Sequence, residues 1–161
     1  MKAATAERQY EKRFFSVAEA NQRLPLVRAI VDDIVTLFAD VQERRERLTM
    51  LMHQDGTGTK RQASPYTEEL EQMDAEIRED IERLNGFAHE LAELGVELKD
   101  PNIGLCDFPT IVDDREACLC WKLGEASVDF WHDLKSGFSG RQSVADLPLH
   151  SRFASTNTSQ N

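Results

Sequence analysis

Val27, Val31, Ile34, Phe38, Val41, Leu48 and Met52 recur at alternating steps of four and three residues, with Arg45 in the one polar gap. That period puts them on one stripe and predicts a long amphipathic helix. Upstream, "FSVAEANQRLP" sets Ser16 and Glu19 at the S-x-x-E spacing of a capping box, in which two side chains satisfy two free backbone N–H groups. The helix therefore starts near Val17. Pro25 has no amide hydrogen and crowds the preceding turn, so the first piece is expected to end or kink around Leu24 and resume at an angle.

"HQDGTGTKRQAS" breaks the period with Gly56 and Gly58 and reads as a mobile loop. Ser64 and Pro65 then offer an N-cap and a first-turn proline. Tyr66, Leu70, Met73, Ile77, Ile81, Leu84, Ala88 and Leu91 mark a second stripe that stops at Gly95. Two such helices pair as an antiparallel hairpin over residues 17–94. Leu26, Ile30 and Leu37 widen the first stripe beyond what one partner helix covers. Their cover is assigned to the C-terminal sheet or to a second subunit, which makes a homodimer through the hairpin the expected assembly.

After Gly95 the period falls to two. "VELKD" alternates, "GLCDFPTIV" and "REACLCWKL" are β-rich, and Asp113-Asp114 between them fits a tight hairpin turn. Counting back from that turn pairs Val112 with Arg115, Phe108 with Leu119, Asp107 with Cys120 and Cys106 with Trp121. Cys106, Phe108, Leu119 and Trp121 then form a core face, and Asp107, Cys118, Cys120 and Lys122 a polar one. "VDFWHDLK" reads as a third strand with Val128, Phe130, His132 and Leu134 on one face, a short helix being the alternative. The fold class is α+β, a long antiparallel helical hairpin followed by a small antiparallel β-sheet over 96–142. One domain spans 15–144, with 1–14 and 148–161 as flexible tails.

Charge narrows the partners. Nineteen Lys+Arg against twenty-nine Asp+Glu leave a net charge of -10, which opposes the phosphate contacts that dominate nucleic-acid affinity. No apolar run approaches the ~20 residues that span a bilayer, and the first residues hold no apolar h-region. A cytoplasmic protein with no nucleic-acid and no membrane partner is expected. The three cysteines, Cys106, Cys118 and Cys120, are odd in number and lie in strand-like sequence, so reduced thiols are expected rather than disulfides.

The set "FSVAEANQRLP", "GVELKD", "GLCDFP", "CWKLGE" and "FWHDLKSGFSGRQ" resembles an uncharacterised bacterial domain-of-unknown-function family, number twenty-two-oh-three, over roughly Phe15 to Val144. The resemblance implies helices followed by a compact sheet. It carries over no activity, cofactor or catalytic residue.

The chemistry concentrates in "CLCWKLGEASVDFWHDLKSGFSGRQ" and in Asp107 across the hairpin. Asp107 opposite Cys120 has no packing reason to sit on a non-core strand face, unless it caps a turn or pairs with Lys122. His132 suits an acid, a base or a ligand, and equally a half-buried ring bonded to a carbonyl. Glu125 follows Gly124 where a turn aims a carboxylate inward or leaves it solvated. Trp131 could wall a pocket, whereas Trp121 reads as core. Arg141, after a Gly-flanked loop, suits bidentate capture of an anion or a salt bridge to a neighbouring acid.

The candidate ligand-binding residues are therefore Asp107, Cys120, Glu125, Trp131, His132 and Arg141. Asp107, Cys120, Glu125 and His132 include zinc ligand types without a zinc spacing signature. Cys120 as nucleophile with His132 as base needs a depressed thiol pKa that strand burial opposes. No phosphate loop, nucleophile elbow or H-E-x-x-H occurs, and no motif names a cofactor. Two readings stand side by side. One is a binding or adaptor protein holding a small anionic ligand or a protein segment on the sheet through Arg141 and His132. The other is a hydrolytic or metal-assisted enzyme in which Asp107, Cys120, Glu125 and His132 converge.

Overall fold

Ser16 opens the first helix as the spacing requires: its Oγ accepts the Glu19 N–H at 3.1 Å. A computed structural model describes residues 12–54 and 65–147, and in it this helix, α1, runs from Val17 to Gln54. The expected mobile loop, the Ser64 cap, the tail beyond 148 and all of the N-terminal tail before Lys12 lie outside the described residues. Pro25 does not end the helix. The bond it cannot give faces outward with its exposed ring, while Leu24 and Val27 on the inner side are 3% and 0% exposed. Core packing on both sides of the proline carries the helix through it.

α2 (Pro65–Glu93) returns alongside α1. It stops where Gly95 takes φ 84, so that Val96 N–H reaches Leu91 O and Gly95 N–H reaches Ala92 O, each at 3.0 Å. This six-to-one and five-to-two pair is a Schellman cap, closed by Leu91 and Val96 packing in one core. The distal hairpin is held by Val41, Leu48, Leu70 and Ile77, with Leu37 and Leu51 packed against them.

Past Val41 the two positions flanking Leu48 slip by one residue from the expected register, while Leu48 itself keeps its place in the seam. Arg45 and Met52 are exposed, and Arg44 and Leu51 face α2 instead. The Arg44 guanidinium in that position joins Asp80 of α2 and Asp40 one turn back. Ile30 is covered by the sheet-side core and Leu37 by the hairpin, so both are covered within the chain. Leu26, Met50 and Met52 are left exposed.

The Arg44 bond, followed by that of Arg83, holds the Asp80 carboxyl below the usual carboxylate range. A group depressed in the folded state stabilises above its unfolded pKa and loses that contribution as pH falls through the folded value. Asp80→Asn is thus expected to lower the Tm by about 1–3 °C at neutral pH. The deficit should vanish in acid once Asp80 itself protonates. Thermal scans of both proteins across the acid range check it; an unchanged deficit in strong acid would assign the effect to packing.

Five antiparallel strands follow in chain order across the sheet: β1 (Glu97–Asp100), β2 (Leu105–Val112), β3 (Arg115–Lys122), β4 (Phe130–Asp133) and β5 (Gln142–Ser143). Asp113 and Asp114 take φ 50 and 61, the left-handed pair of a two-residue hairpin turn. The β2–β3 register is the predicted one at all four pairs, with Asp107 opposite Cys120. β4 is a strand, shorter than expected. Val128 precedes it, buried, and gives its N–H to Asn21 Oδ1 at 2.8 Å.

One face of the sheet packs on the helices. Phe108, Leu119, Trp121 and Cys106 join Phe15, Val27, Val31, Ile34 and Leu91 in the main core. Phe15 is tied to β2 twice: its N–H reaches Pro109 O, and its carbonyl accepts from Thr110 Oγ1, both at 2.7 Å. Between β1 and β2, Gly104 at φ 66 lets the chain pass close under α1.

Candidate metal centre

Cross-strand partners share a face, so the register that sends Phe108 and Leu119 into the core turns Asp107, Cys118 and Cys120 the other way. β4 adds His132 opposite Cys118 and Phe130 opposite Cys120. This outer face is buried rather than open. Asp107, Cys120 and His132 are 3%, 0% and 4% exposed. The chain beyond β4 supplies the cover: Leu134, Gly137 and Phe138 wall a pocket over it, and Arg141 lies against Phe130 and Phe138 at 4.2 and 5.0 Å.

His132 Nδ1 lies 2.7 Å from the carbonyl oxygen of Asp133, and Nε2 lies 3.1 Å from Asp107 Oδ1. A carbonyl only accepts, so Nδ1 carries a hydrogen. In a neutral ring Nε2 then presents a lone pair to a carboxylate oxygen, an arrangement that calls for a shared proton or a cation. The Cys120 sulfur completes the group: one donor atom each from Asp107, Cys120 and His132, all within 4.8 Å of one another.

Burial pushes all three thiols up: Cys106 and Cys120 to about 12, Cys118 to about 11, with the Asp107 charge adding to each. At Cys120 the Arg141 guanidinium pulls the other way. None of them is a ready thiolate nucleophile at neutral pH. All three are free cysteines, as expected from their number and setting.

Glu125 does not join this group. Its Oε1 accepts the Lys122 N–H at 2.7 Å and Arg141 Nη2 at 2.6 Å. Arg141 also donates to the Cys120 carbonyl at 3.2 Å, so its guanidinium is a strut between β3 and the following turn rather than a free clamp. Trp131 pairs with Leu119 and packs against the helix-side core, on the opposite face of the sheet. Of the six candidates, three meet, two pair with each other at the edge of the cluster, and one points away.

The pocket above Asp107 and His132 measures about 310 Å³. Lys12, Lys99, Pro109 and Cys118 line it with Leu134 and Phe138. Sequence reasoning missed most of these. The period-two register could have placed Pro109 beside Cys118, but Lys12 and Phe138 arrive from outside the central strands and leave no periodic trace. Both lysines are already paired, Lys12 with Glu116 at 2.5 Å and Lys99 with Glu97 at 2.8 Å.

A family described as "Uncharacterized conserved protein (DUF2203)" matches the chain over residues 13–144. The chain belongs to this family. The DUF2203 match runs from the residue after Lys12 to the residue after β5, and so takes in every strand that builds the centre. No curated protein and no solved structure matches the chain. For this DUF2203 protein the chemistry therefore rests on the geometry itself.

Proposed function

We propose that the protein is a metal-binding protein whose outer sheet face holds a transition-metal ion of the zinc class through Asp107, Cys120 and His132. The observation that carries this reading is the orientation of His132. Its Nδ1 is spent on the Asp133 carbonyl, as in histidines that ligate a metal through the other nitrogen, and Nε2 is turned onto a carboxylate beside a thiol. Two nitrogen and oxygen ligands at about 2.0–2.1 Å from a tetrahedral ion lie about 3.3 Å apart. The Nε2 to Oδ1 separation of 3.1 Å is close to that value. Imidazole, thiolate and carboxylate together match the borderline-soft character of zinc.

Relative to the two sequence readings, this keeps the binding site on the sheet and replaces the anion clamp by a cation site. It keeps three of the four residues assigned to a metal-assisted centre and gives Glu125 a supporting part through Arg141.

Titration of the metal-free chain with Zn²⁺ tests it. One equivalent is expected to bind, with proton release as the Cys120 thiol ionises. Cys120→Ala and Asp107→Asn should lose that equivalent, and Cys118→Ala should keep it. A chain that takes up no zinc, or takes it up equally well as Cys120→Ala, would sink the reading and leave Asp107 and His132 as a buried structural pair.

A further inference from the structure

Zinc sites that serve only structure are closed by four protein ligands, whereas sites that act on a ligand keep one position open. Asp107, Cys120 and His132 supply three. The obvious fourth donor is Cys118, which faces His132 across β3 and β4 and lines the same pocket. Its sulfur is not part of the mutually close group. Glu125, the next candidate by sequence, is turned to Arg141 and the Lys122 amide. Among the described residues no fourth His, Cys, Asp or Glu donor joins the group.

The side from which a fourth ligand would come is set by the pocket. Asp107 and His132 form part of its lining and Cys120 does not, so an ion held by the three is approached from the Asp107–His132 side. About 310 Å³ is at the lower end of small-molecule pockets. Pro109, Leu134 and Phe138 give it an apolar wall. Its two lysines are neutralised by Glu97 and Glu116, so the lining alone has no cation to spare for an anion. A divalent ion at the floor, its charge balanced by Asp107 and the ionised Cys120, would meet an incoming anion as a Lewis acid with an open position.

We infer that the fourth coordination position opens into this pocket and takes a small monoanion, a carboxylate whose short apolar part lies against Leu134 and Phe138. The inference rests on the metal reading above and deepens it. It restores an anionic ligand to the sheet face, with the metal in the role that the sequence reading gave to Arg141.

Cobalt(II) in place of zinc makes both layers visible. The full chain loaded with Co²⁺ should show a sulfur-to-cobalt charge-transfer band and visible bands of a low-coordinate ion. Added sodium acetate should shift the visible bands saturably, and azide, a smaller monoanion, should do so as well. Leu134 is exposed, so Leu134→Trp should fold, keep the charge-transfer band, and weaken acetate by about tenfold by narrowing the pocket. Visible bands that ignore both anions would mean a closed site, which overturns this inference and leaves the metal reading standing. Anion shifts unaffected by Leu134→Trp would overturn the route through the pocket. No thiolate band at all would remove the metal reading and the inference with it.

Discussion

His132→Ala is expected to cost about 3–5 kcal/mol of folding stability, measured without metal, because it strands the Asp107 carboxylate in a buried site. At roughly 2–4 °C per kcal/mol for a chain of this size, the Tm should fall by about 6–20 °C. The charge argument has its own control. In the double variant Asp107→Asn, His132→Ala the stranded charge is gone, so part of the loss should return, and the double-mutant cycle reports the coupling. Urea unfolding of the four proteins measures it. A single-variant loss under about 1 kcal/mol would mean that water reaches the carboxylate, and the site would have to be wetter than its burial implies.

The second large effect lies on the other face of the sheet. Gly104 has φ 66, and a Cβ there would sit 2.7 Å from Val31 Cγ1, 2.8 Å from Leu123 Cβ and 3.1 Å from Val35 Cγ2. Gly104→Ala therefore combines left-handed strain of about 1–2 kcal/mol with overpacking of about 1–3 kcal/mol. An unfolding loss of about 2–5 kcal/mol is expected. Val31 is fully buried and Leu123 follows directly on β3, so neither can yield without disturbing the core or the turn that carries Glu125. Gly124→Ala is the comparison: φ is 102 but nothing lies within 4 Å of the added carbon, so only the strain should register. A Gly104→Ala loss no larger than about 1–2 kcal/mol, the left-handed strain alone, would show that the close approach of α1 contributes nothing.

What the sequence made legible follows from how far each signal propagates. A two-residue turn fixes a period-two ladder along its whole length, and Asp113-Asp114 therefore placed Asp107 opposite Cys120 from six residues away. The Ser16 cap and the Gly95 stop are local chemistry and were equally readable. Trp131 was harder. Next to His132 on a strand it must face the other way, but only the β3–β4 register shows that its side is the helix side. Glu125 and Arg141 lie sixteen residues apart across an irregular segment, so no periodicity could announce that they bind each other. Pro25 misled because a local rule was applied where burial of Leu24 and Val27 outweighs it. Arg44 meets Asp80, a partner in the other helix that the period of α1 alone does not show.

Every strand in the sheet neighbours the one before it in the chain, and the two helices are likewise sequential. Such a topology closes short loops first and should fold by successive local pairing. The costly loops are those that join the start of the chain and α1 to the sheet, since Phe15 and Thr110 are 95 residues apart and Asn21 and Val128 are 107 apart. Strengthening the Phe15–Thr110 tie should lengthen the lifetime of the folded protein wherever that tie forms after the main barrier, and speed folding where it forms before it. Lys12, three residues before Phe15, lines the pocket, so the segment that makes this tie also supplies part of the wall of the candidate metal centre.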